Sequence, residues 1–193
     1  MCRRKFMDNI IVETGTALYP IYFTDDFSGL AEAAEKCGYK GRKLCVISDG
    51  NVAPIYVETV TSELSKVFSD VKVCVFDAGE KSKNLDTIRK FYDFLLENKF
   101  DRESVIAALG GGVAGDMAGF AAATFMRGID FIQIPTSLLA QVDSSVGGKV
   151  GVDYGVYKNV VGAFYQPQFV YINTATMDTL PEREFSAGMA EVI

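Results

Sequence analysis

The chain has 193 residues, of which 49% are hydrophobic and 23% charged, with 18 glycines and five prolines. This length and composition predict one globular domain and exclude a disordered, collagen-like or coiled-coil protein. Its 19 basic and 25 acidic residues give a charge of −6, which argues against a nucleic-acid or anionic-membrane binder. The sequence contains no histidine, so the commonest general base and the commonest metal ligand are both missing.

The N-terminal residues, the apolar runs and the cysteines indicate the cellular compartment of the protein. No apolar run approaches the roughly 18 residues of a membrane span, and the basic residues 1–5 lack the apolar stretch of a signal peptide, so a ragged end is expected there. The four cysteines, Cys2, Cys37, Cys45 and Cys74, show no C-x-x-C spacing. Cys45 and Cys74 lie in apolar runs typical of core thiols in a reducing compartment, and we expect a cytoplasmic protein.

The hydrophobic pattern predicts strands that alternate with helices as far as residue 134. In chain order, the predicted elements are two short strands at 9–13 and 19–24, a helix at 27–37, a strand at 43–48, a helix at 54–68, a strand at 71–76, a helix capped by Asn84, a strand at 105–109, a helix at 115–126 and a strand at 131–134. The first two strands suggest a hairpin around Gly15. The remainder predicts an α/β fold with a doubly wound, mostly parallel, Rossmann-like sheet.

The helix after Asn84 carries its apolar residues at steps of three and one, which predicts one buried face made of Leu85, Ile88, Phe91, Tyr92, Leu95 and Leu96. Beyond Thr136 the chain is richer in glycine and polar residues, and regular elements are harder to assign. Residues 190–193 look like a rising helix without a cap. We therefore expect one α/β domain over residues 1–193, cut at the start of a following domain.

A glycine-rich segment, 110–116, follows one predicted strand and opens a helix. It contains G-x-G-x-x-G, whose glycines let backbone N–H groups approach a pyrophosphate at a helix N-terminus. The alternative is a tight turn that lets helix and sheet pack closely, since the dinucleotide fingerprint should follow the first strand of the sheet. Asp116 would repel a phosphate unless it turns toward a ribose, a backbone donor or a polar partner.

Two further polar segments follow predicted strands. Asp49, Gly50 and Asn51 could hold a ribose, or could form an ordinary Asp-Gly turn. Residues 79–83 read as a solvated charged loop when considered alone. All three segments follow predicted parallel strands, so we expect them to lie on one edge of the sheet.

The stretch 135–149 places hydroxyls, Asp143 and Lys149 among apolar residues, and Lys158 and Asn159 follow shortly after. One interpretation is a structural salt bridge between Asp143 and Lys149. The other is a site for a polyhydroxylated, phosphorylated substrate, in which lysine binds the anion while aspartate and asparagine bind hydroxyls.

Several segments together resemble the 3-dehydroquinate synthase family of the shikimate pathway, which leads to chorismate and the aromatic amino acids; they are 110–116, 126–128, 141–149, 158–159, 162–167 and 179–184. The glycine loop alone would be shared with iron-dependent alcohol dehydrogenases and glycerol dehydrogenases. The string Gln-Val-Asp-Ser-Ser-Val-Gly-Gly-Lys is far more specific to sugar-phosphate cyclases. The Leu-Pro-Glu-Arg-Glu segment points to the dehydroquinate branch.

The resemblance implies an N-terminal α/β domain that binds NAD and a C-terminal helical domain that supplies most of a zinc or cobalt site. It implies a lyase that converts 3-deoxy-D-arabino-heptulosonate 7-phosphate into 3-dehydroquinate and phosphate. In that reaction NAD oxidises a ring hydroxyl, phosphate leaves, the ketone is reduced again, and the ring opens and recloses. A homodimer is also implied, with no nucleic-acid or membrane partner.

The resemblance also assigns individual residues. The implied NAD-binding residues are Asp49, Asn51, Glu80, Lys83, Gly111, Gly112, Val113, Asp116, Thr136, Ser137, Lys158, Thr176 and Thr179. The implied substrate-binding and catalytic residues are Asp143, Lys149, Asn159 and Arg127, with Arg127 reaching the substrate phosphate in the partner subunit. Glu191 matches the single metal-binding carboxylate of this half.

The sequence departs from the family pattern in two places and leaves alternatives open. Ser137 replaces a usual threonine, and 150–154 differ from the usual segment, which removes a histidine. The two histidine ligands and the remaining substrate-binding bases would lie beyond Ile193, so this chain alone is expected to bind NAD but to be inactive. The alternatives are another sugar-phosphate cyclase, of the valiolone or inosose synthase type, and a non-catalytic nucleotide-binding module.

Overall fold

The structure, a computed structural model, describes residues 8–15 and 17–192, so the predicted ragged end and Cys2 lie outside the described residues. The strands are β1 (Asp8–Glu13), β2 (Leu18–Thr24), β3 (Lys43–Asp49), β4 (Asp70–Phe76), β5 (Val105–Gly110), β6 (Asp130–Pro135), β7 (Lys149–Tyr154), β8 (Tyr157–Phe164) and β9 (Val170–Asn173). The helices are α1 (Leu30–Lys36), α2 (Ala53–Leu64), α3 (Leu85–Glu97), α4 (Gly112–Thr124) and α5 (Glu182–Met189).

The strands form a seven-stranded sheet in the order β1-β2-β9-β6-β5-β3-β4 and a separate β7–β8 hairpin. In this spatial order, all neighbouring strands from β2 across the sheet to β4 are parallel, whereas the edge strand β1 pairs antiparallel with β2. The predicted doubly wound sheet and N-terminal hairpin are therefore confirmed. The chain leaves β3 for β4 on one side and returns to β5 on the other, which makes the β3–β5 crevice the switch point where such sheets bind ligands.

Two apolar layers cover the sheet. On one face, α1 and α2 pack over Leu44, Val46 and their neighbours. On the other face, α3, α4 and the β7–β8 hairpin pack over Cys45 and Ile47. Because consecutive residues of β3 point to opposite faces, this double cover explains why the strand reads as an almost unbroken apolar run.

The predicted start of α3 is confirmed. The Asn84 side chain accepts a hydrogen bond from the Thr87 backbone N–H, which satisfies one of the free donors at the helix start. Ile88, Phe91 and Leu95 are buried as expected. The exception is Leu96, whose side chain is 56% exposed and lies outside the buried face.

Several predicted helix boundaries were wrong. Helix α1 begins at Leu30 rather than at residue 27, and α2 ends at Leu64 rather than at residue 68. Helix α4 begins at Gly112, three residues early. It ends at Thr124 because Phe125 is already extended, and Met126 and Arg127 then take left-handed backbone conformations. Helix α5 ends at Met189, and residues 190–192 form a turn instead of a rising helix.

Glycines on α4 let it approach its neighbours closely. A Cβ atom on Gly119 would lie 2.4 Å from Val150 Cγ1, and one on Gly115 would lie 2.8 Å from Gln133 Oε1. Of the glycine-rich segment 110–116, Gly115 therefore serves the close packing of helix against sheet that was the alternative to a ligand role, since Gln133 lies on β6. The contact at Gly119 holds the β7–β8 hairpin against the helix.

The three described cysteines, Cys37, Cys45 and Cys74, are free thiols. Cys45 lies in the core, and Cys74 is half-buried beside it. Burial raises the pKa of the Cys45 thiol well above its usual value and raises that of Cys74 to about 11. No helix within the described residues has the length and apolar character needed to cross a bilayer.

Candidate active site

The three polar segments of the sequence analysis lie at one edge of the sheet, as predicted. Asp49 ends β3, the glycine loop follows β5, and the one-turn 3-10 helix Glu80–Ser82 follows β4. These strands are parallel neighbours, so their carboxyl ends coincide. The glycine loop thus borders the switch-point crevice even though β5 is not the first strand of the chain.

The glycine loop presents backbone rather than side chains. A Cβ on Gly111 would lie 3.2 Å from Ser137 Oγ, and one on Gly112 would lie 3.0 Å from Ser144 Oγ. Val113 then continues into α4, whose first N–H groups have no partner within the helix. The loop therefore has the surface and the helix-dipole potential that suit a pyrophosphate.

Asp49 forms the local turn that was the simpler alternative. Its Oδ1 accepts hydrogen bonds from the backbone N–H groups of Asn51, at 2.8 Å, and Val52, at 3.1 Å. Its Oδ2 lies 3.3 Å from where a Cβ on Gly110 would be, so the carboxylate also faces the glycine loop. The turn and a ligand role for Asp49 are compatible, because Oδ1 forms the turn while Oδ2 faces the crevice.

Asp116 turns away from the loop toward a polar partner, one of the three options that the sequence left open. Lys83 Nζ donates to Asp116 Oδ2 at 2.5 Å, and the two side chains are 6% and 19% exposed. Burial raises the pKa of the Asp116 carboxyl, while the hydrogen bond and charge of Lys83 oppose the rise. The solvated-loop interpretation of 79–83 is therefore wrong for Lys83, which is buried.

A cleft of about 480 Å³ lies beside the loop, between α4, the π-helical turn Ala140–Ser144 and the β7–β8 hairpin. Its volume suits a small ligand. Asp116, Asp143, Lys149 and Asn159 all line it. Within the described chain no ion pair joins Asp143 to Lys149, so the structural salt bridge is not formed.

An ion pair connects the turn after β4 to the hairpin. Lys158 Nζ lies 3.2 Å from Glu80 Oε1, and both side chains are largely exposed. Such a pair contributes little stability in water. The pair does bring two predicted cofactor-binding residues from different elements next to each other.

The other predicted cofactor residues lie around the ends of β6 and β9. The Thr136 N–H donates to Gly110 O at 2.9 Å, which ties the end of β6 to the glycine loop. The Thr176 hydroxyl is buried and bonded within the fold, accepting from Gln141 Nε2 and donating to Asn173 O. Thr179 is exposed, and its hydroxyl shares a short hydrogen bond with Tyr56.

Sequence reasoning gave no role to Gln141, which joins the elements around the site. Its Nε2 lies within hydrogen-bond distance of Pro135 O, Asn173 O and Thr176 Oγ1, at 2.9–3.3 Å. This buried amide fixes the π-helical turn that carries Asp143 and Ser144. A polar residue between apolar positions was its signal in the sequence.

The predicted phosphate-binding arginine and metal-binding glutamate do not line the cleft either. Arg127 is exposed in the left-handed turn after α4, and Glu191 is exposed in the turn after α5. Within the described residues, no three carboxylate, thiol or imidazole groups are close enough to hold a metal ion. The described residues therefore do not by themselves fit a metal site.

Known proteins resemble this chain along nearly its whole length. Residues 73–187 match the family model described as 3-dehydroquinate synthase N-terminal. The chain is 54% identical to the 3-dehydroquinate synthase of Acetivibrio thermocellus over 175 residues, covering 91% of this chain and 48% of that protein. It spans about half the length of the curated relatives it matches.

Solved structures agree with this result. A 2-deoxy-scyllo-inosose synthase complexed with carbaglucose-6-phosphate, NAD⁺ and Co²⁺ has a TM-score of 0.86 at 29% identity, covering 94% of this chain and 49% of that one. The 2-epi-5-epi-valiolone synthase of Streptomyces hygroscopicus subsp. jinggangensis 5008, with NAD⁺ and Zn²⁺ bound, has a TM-score of 0.81 at 28% identity, covering 95% and 50%. The sequence match and the fold agree: this chain belongs to the 3-dehydroquinate synthase N-terminal family.

Proposed function

We propose that residues 1–193 are the NAD-binding α/β domain of a 3-dehydroquinate synthase. The complete enzyme converts 3-deoxy-D-arabino-heptulosonate 7-phosphate into 3-dehydroquinate and phosphate. One observation carries the proposal: Asp116, Asp143, Lys149 and Asn159 line a single cleft beside the glycine loop. The 54% identity to a curated 3-dehydroquinate synthase supports this reaction over those of related cyclases.

The residues at the sheet edge fit NAD. Gly111, Gly112 and Val113 would receive the pyrophosphate on free N–H groups at the start of α4. Asp49 and Asn51 would hold the adenosine half, and the remaining cofactor residues would hold the riboses and nicotinamide; they are Glu80, Lys83, Asp116, Thr136, Ser137, Lys158, Thr176 and Thr179. When bound, NAD would supply a hydride acceptor that is regenerated in each turnover.

The cleft residues fit a phosphorylated polyol. Lys149 would bind an anionic group of the substrate, while Asp143 and Asn159 would orient hydroxyls. Val160 and Phe164 add apolar surface to the cleft lining, and both side chains are themselves largely exposed. We also propose a cytoplasmic homodimer, in which Arg127 of one subunit reaches the substrate phosphate of the other.

Zinc or cobalt is implied for the complete enzyme. Glu191 would be the single ligand from this chain, and the others would come from the half of the relatives that the chain does not match. The roles proposed above for the cofactor-binding and cleft residues involve no contact with the metal.

A related cyclase is the runner-up, but the two solved cyclases are only 28–29% identical to this chain. A non-catalytic module is the other candidate. The natural gene beyond the codon for Ile193 separates the synthase from the non-catalytic module. A lysine followed by histidines in a helical region favours the synthase, and a stop codon favours the module.

The proposed reaction is tested on the complete gene product. With NAD, zinc and the heptulosonate phosphate, we expect phosphate to be released in step with 3-dehydroquinate. If phosphate is released only from a different sugar phosphate, the protein belongs to another class of cyclase. No release with any of them would contradict the proposed function.

The first prediction concerns NAD binding by this chain without metal. Calorimetry in the presence of a chelator should detect binding, since the predicted cofactor residues lie in this chain. Gly112→Val should weaken the affinity by at least about tenfold, or about 1.4 kcal/mol, because a side chain would occupy the surface that the pyrophosphate approaches. Gly15→Val is the matched control, since a Cβ there has no neighbour within 4 Å. Equal affinity of all three proteins would contradict the assignment of the loop.

The second prediction concerns metal and activity in this chain alone. After dialysis against zinc, we expect less than stoichiometric bound metal and no phosphate release with NAD and substrate. A catalytic zinc takes about three protein ligands, and the matched position offers only Glu191. Stoichiometric zinc together with turnover would show that the site is assembled differently.

A further inference from the structure

The β7–β8 hairpin contains an irregularity at the predicted substrate residues. The two strands pair in register from Lys149 with Phe164 to Val152 with Val161, and then shift so that Tyr154 pairs with Tyr157. One residue of β7, Asp153, therefore faces three residues of β8. Those three residues are Lys158, Asn159 and Val160, so the bulge carries two of the predicted site residues.

A bulge leaves backbone groups without ladder partners, and one such group is satisfied by a side chain. The Asn159 N–H donates to Asp153 Oδ1 at 2.8 Å. Asn159 has a φ of +55°, a left-handed conformation that asparagine tolerates better than most residues. The Asp153 carboxylate thus holds Asn159 in an uncommon conformation that turns the strand out of register.

The backbone of Asp153 is tied to the cofactor side of the site. Its N–H donates to Lys83 O at 2.9 Å, and Asp153 forms an isolated bridge with Asn84. Lys83 in turn pairs with Asp116. One residue therefore connects the segment that carries Lys83 to the bulge that carries Lys158 and Asn159.

We propose that Asp153 is a positioning residue that sets the β8 bulge and so presents Lys158 and Asn159 to cofactor and substrate. The role rests on the proposed function, since it concerns the same cleft. Asp153 does not line the cleft, so it acts through its hydrogen bond and not through contact with a ligand. Geometry is what the role requires, because an uncharged amide oxygen at the same place can still accept a hydrogen bond from the Asn159 N–H.

Three substitutions separate geometry from charge. Asp153→Asn keeps an acceptor oxygen in place without the charge, Asp153→Glu keeps the charge but displaces the oxygen by one methylene, and Asp153→Ala removes both. In the complete gene product, we expect kcat/KM for the heptulosonate phosphate to fall about 10- to 100-fold in the alanine variant, from loss of a charge-assisted hydrogen bond. The asparagine variant should stay within about threefold of the parent, and the glutamate variant should show a clear loss.

A second measurement follows the hydrogen bond directly. By amide hydrogen exchange on this chain, the Asn159 N–H should lose protection in the alanine and glutamate variants and keep it in the asparagine variant. Asp93→Ala, on the exposed side of α3, is the matched control and should change neither readout. If the alanine variant does not fold, the asparagine and glutamate variants still decide the question.

The outcomes distinguish this inference from the proposed function. A parent protein with no phosphate release would contradict the function, while exchange at Asn159 would still test the hydrogen bond. If the parent is active, the glutamate variant keeps its kcat/KM and the asparagine variant loses it, then the charge of Asp153 matters and its geometry does not. That result would overturn the positioning role. Full activity in all three variants would overturn it as well.

Discussion

Lys149→Ala in the complete gene product is expected to reduce turnover severely while leaving NAD binding almost unchanged. Lys149 lines the cleft beside Asp143 and forms no ion pair in the described chain, so its ammonium is available to a substrate anion. Truncating one partner of a desolvated charged pair costs about 2–5 kcal/mol, which corresponds to a loss of about 30- to 5,000-fold in kcat/KM. The measurement pairs phosphate-release kinetics with NAD calorimetry.

The loss should reflect chemistry and not folding, because the turn before Lys149 is held independently of its side chain. The Gly147 N–H donates to the Tyr19 hydroxyl at 3.3 Å, and Gly147 O accepts from Gln166 Nε2 at 3.0 Å. Lys90→Ala, on the exposed surface of α3, serves as control and should retain full activity. Unchanged kinetics in Lys149→Ala would contradict its role in binding the substrate anion.

The central sheet could be predicted because its strands carry their own signal. Strand β3 is apolar on both faces, and only a strand covered on both sides needs that pattern. The start of α4 could not be placed, because Gly111 and Gly112 have low intrinsic helix propensity. Its helical start is set by tertiary packing, in which Gly115 and Gly119 accommodate Gln133 and Val150.

The β7–β8 hairpin could not be predicted, because buried and exposed residues do not alternate along its strands. Gly151 and Val152 are buried in succession, and most of β8 is exposed. The bulge at Asp153 breaks the period of two at the point where the site residues lie. Sequence reasoning noted Lys158 and Asn159 after the polar stretch 135–149, and the family resemblance gave each its role. The Asp153–Asn159 hydrogen bond has no local sequence pattern.

The edge of the sheet was predictable, but its contacts were not. Residues that follow parallel strands must share one edge, which brought Asp49, Glu80 and the glycine loop together. The partner of Asp116 lies 33 residues earlier, with α3 between them, and no periodicity connects the two. The sequence could state only that Asp116 needed a polar partner.

Lys83→Met is expected to be the most destabilising single change at the site. It removes the ammonium that pairs with Asp116 and leaves a carboxylate whose side chain is only 19% exposed. Removing one partner of a buried pair costs several kcal/mol; because Asp116 retains some solvent contact, we expect about 3 kcal/mol in the free energy of unfolding. Chemical denaturation of this chain at neutral pH measures the loss.

The loss should depend on pH in a definite direction. Burial already raises the pKa of Asp116, with smaller contributions from Glu80 and Asp143, and Lys83 opposes that rise. Without Lys83 the folded-state pKa rises further, so the folded protein binds the Asp116 proton more tightly than the unfolded chain does. The difference in stability from the parent should therefore shrink as the pH falls from neutral through the raised pKa of Asp116, and widen again as the pH rises.

A double variant and a neighbouring lysine make the test specific. Lys83→Met combined with Asp116→Leu removes the uncompensated charge and should recover most of the stability, since buried pairs are often replaced by apolar groups at little cost. Lys81→Met alters an exposed lysine of the same 3-10 turn and should change stability only slightly. If Lys83→Met is as stable as Lys81→Met, or if its deficit grows on acidification, the pair does not hold Asp116 in its charged form.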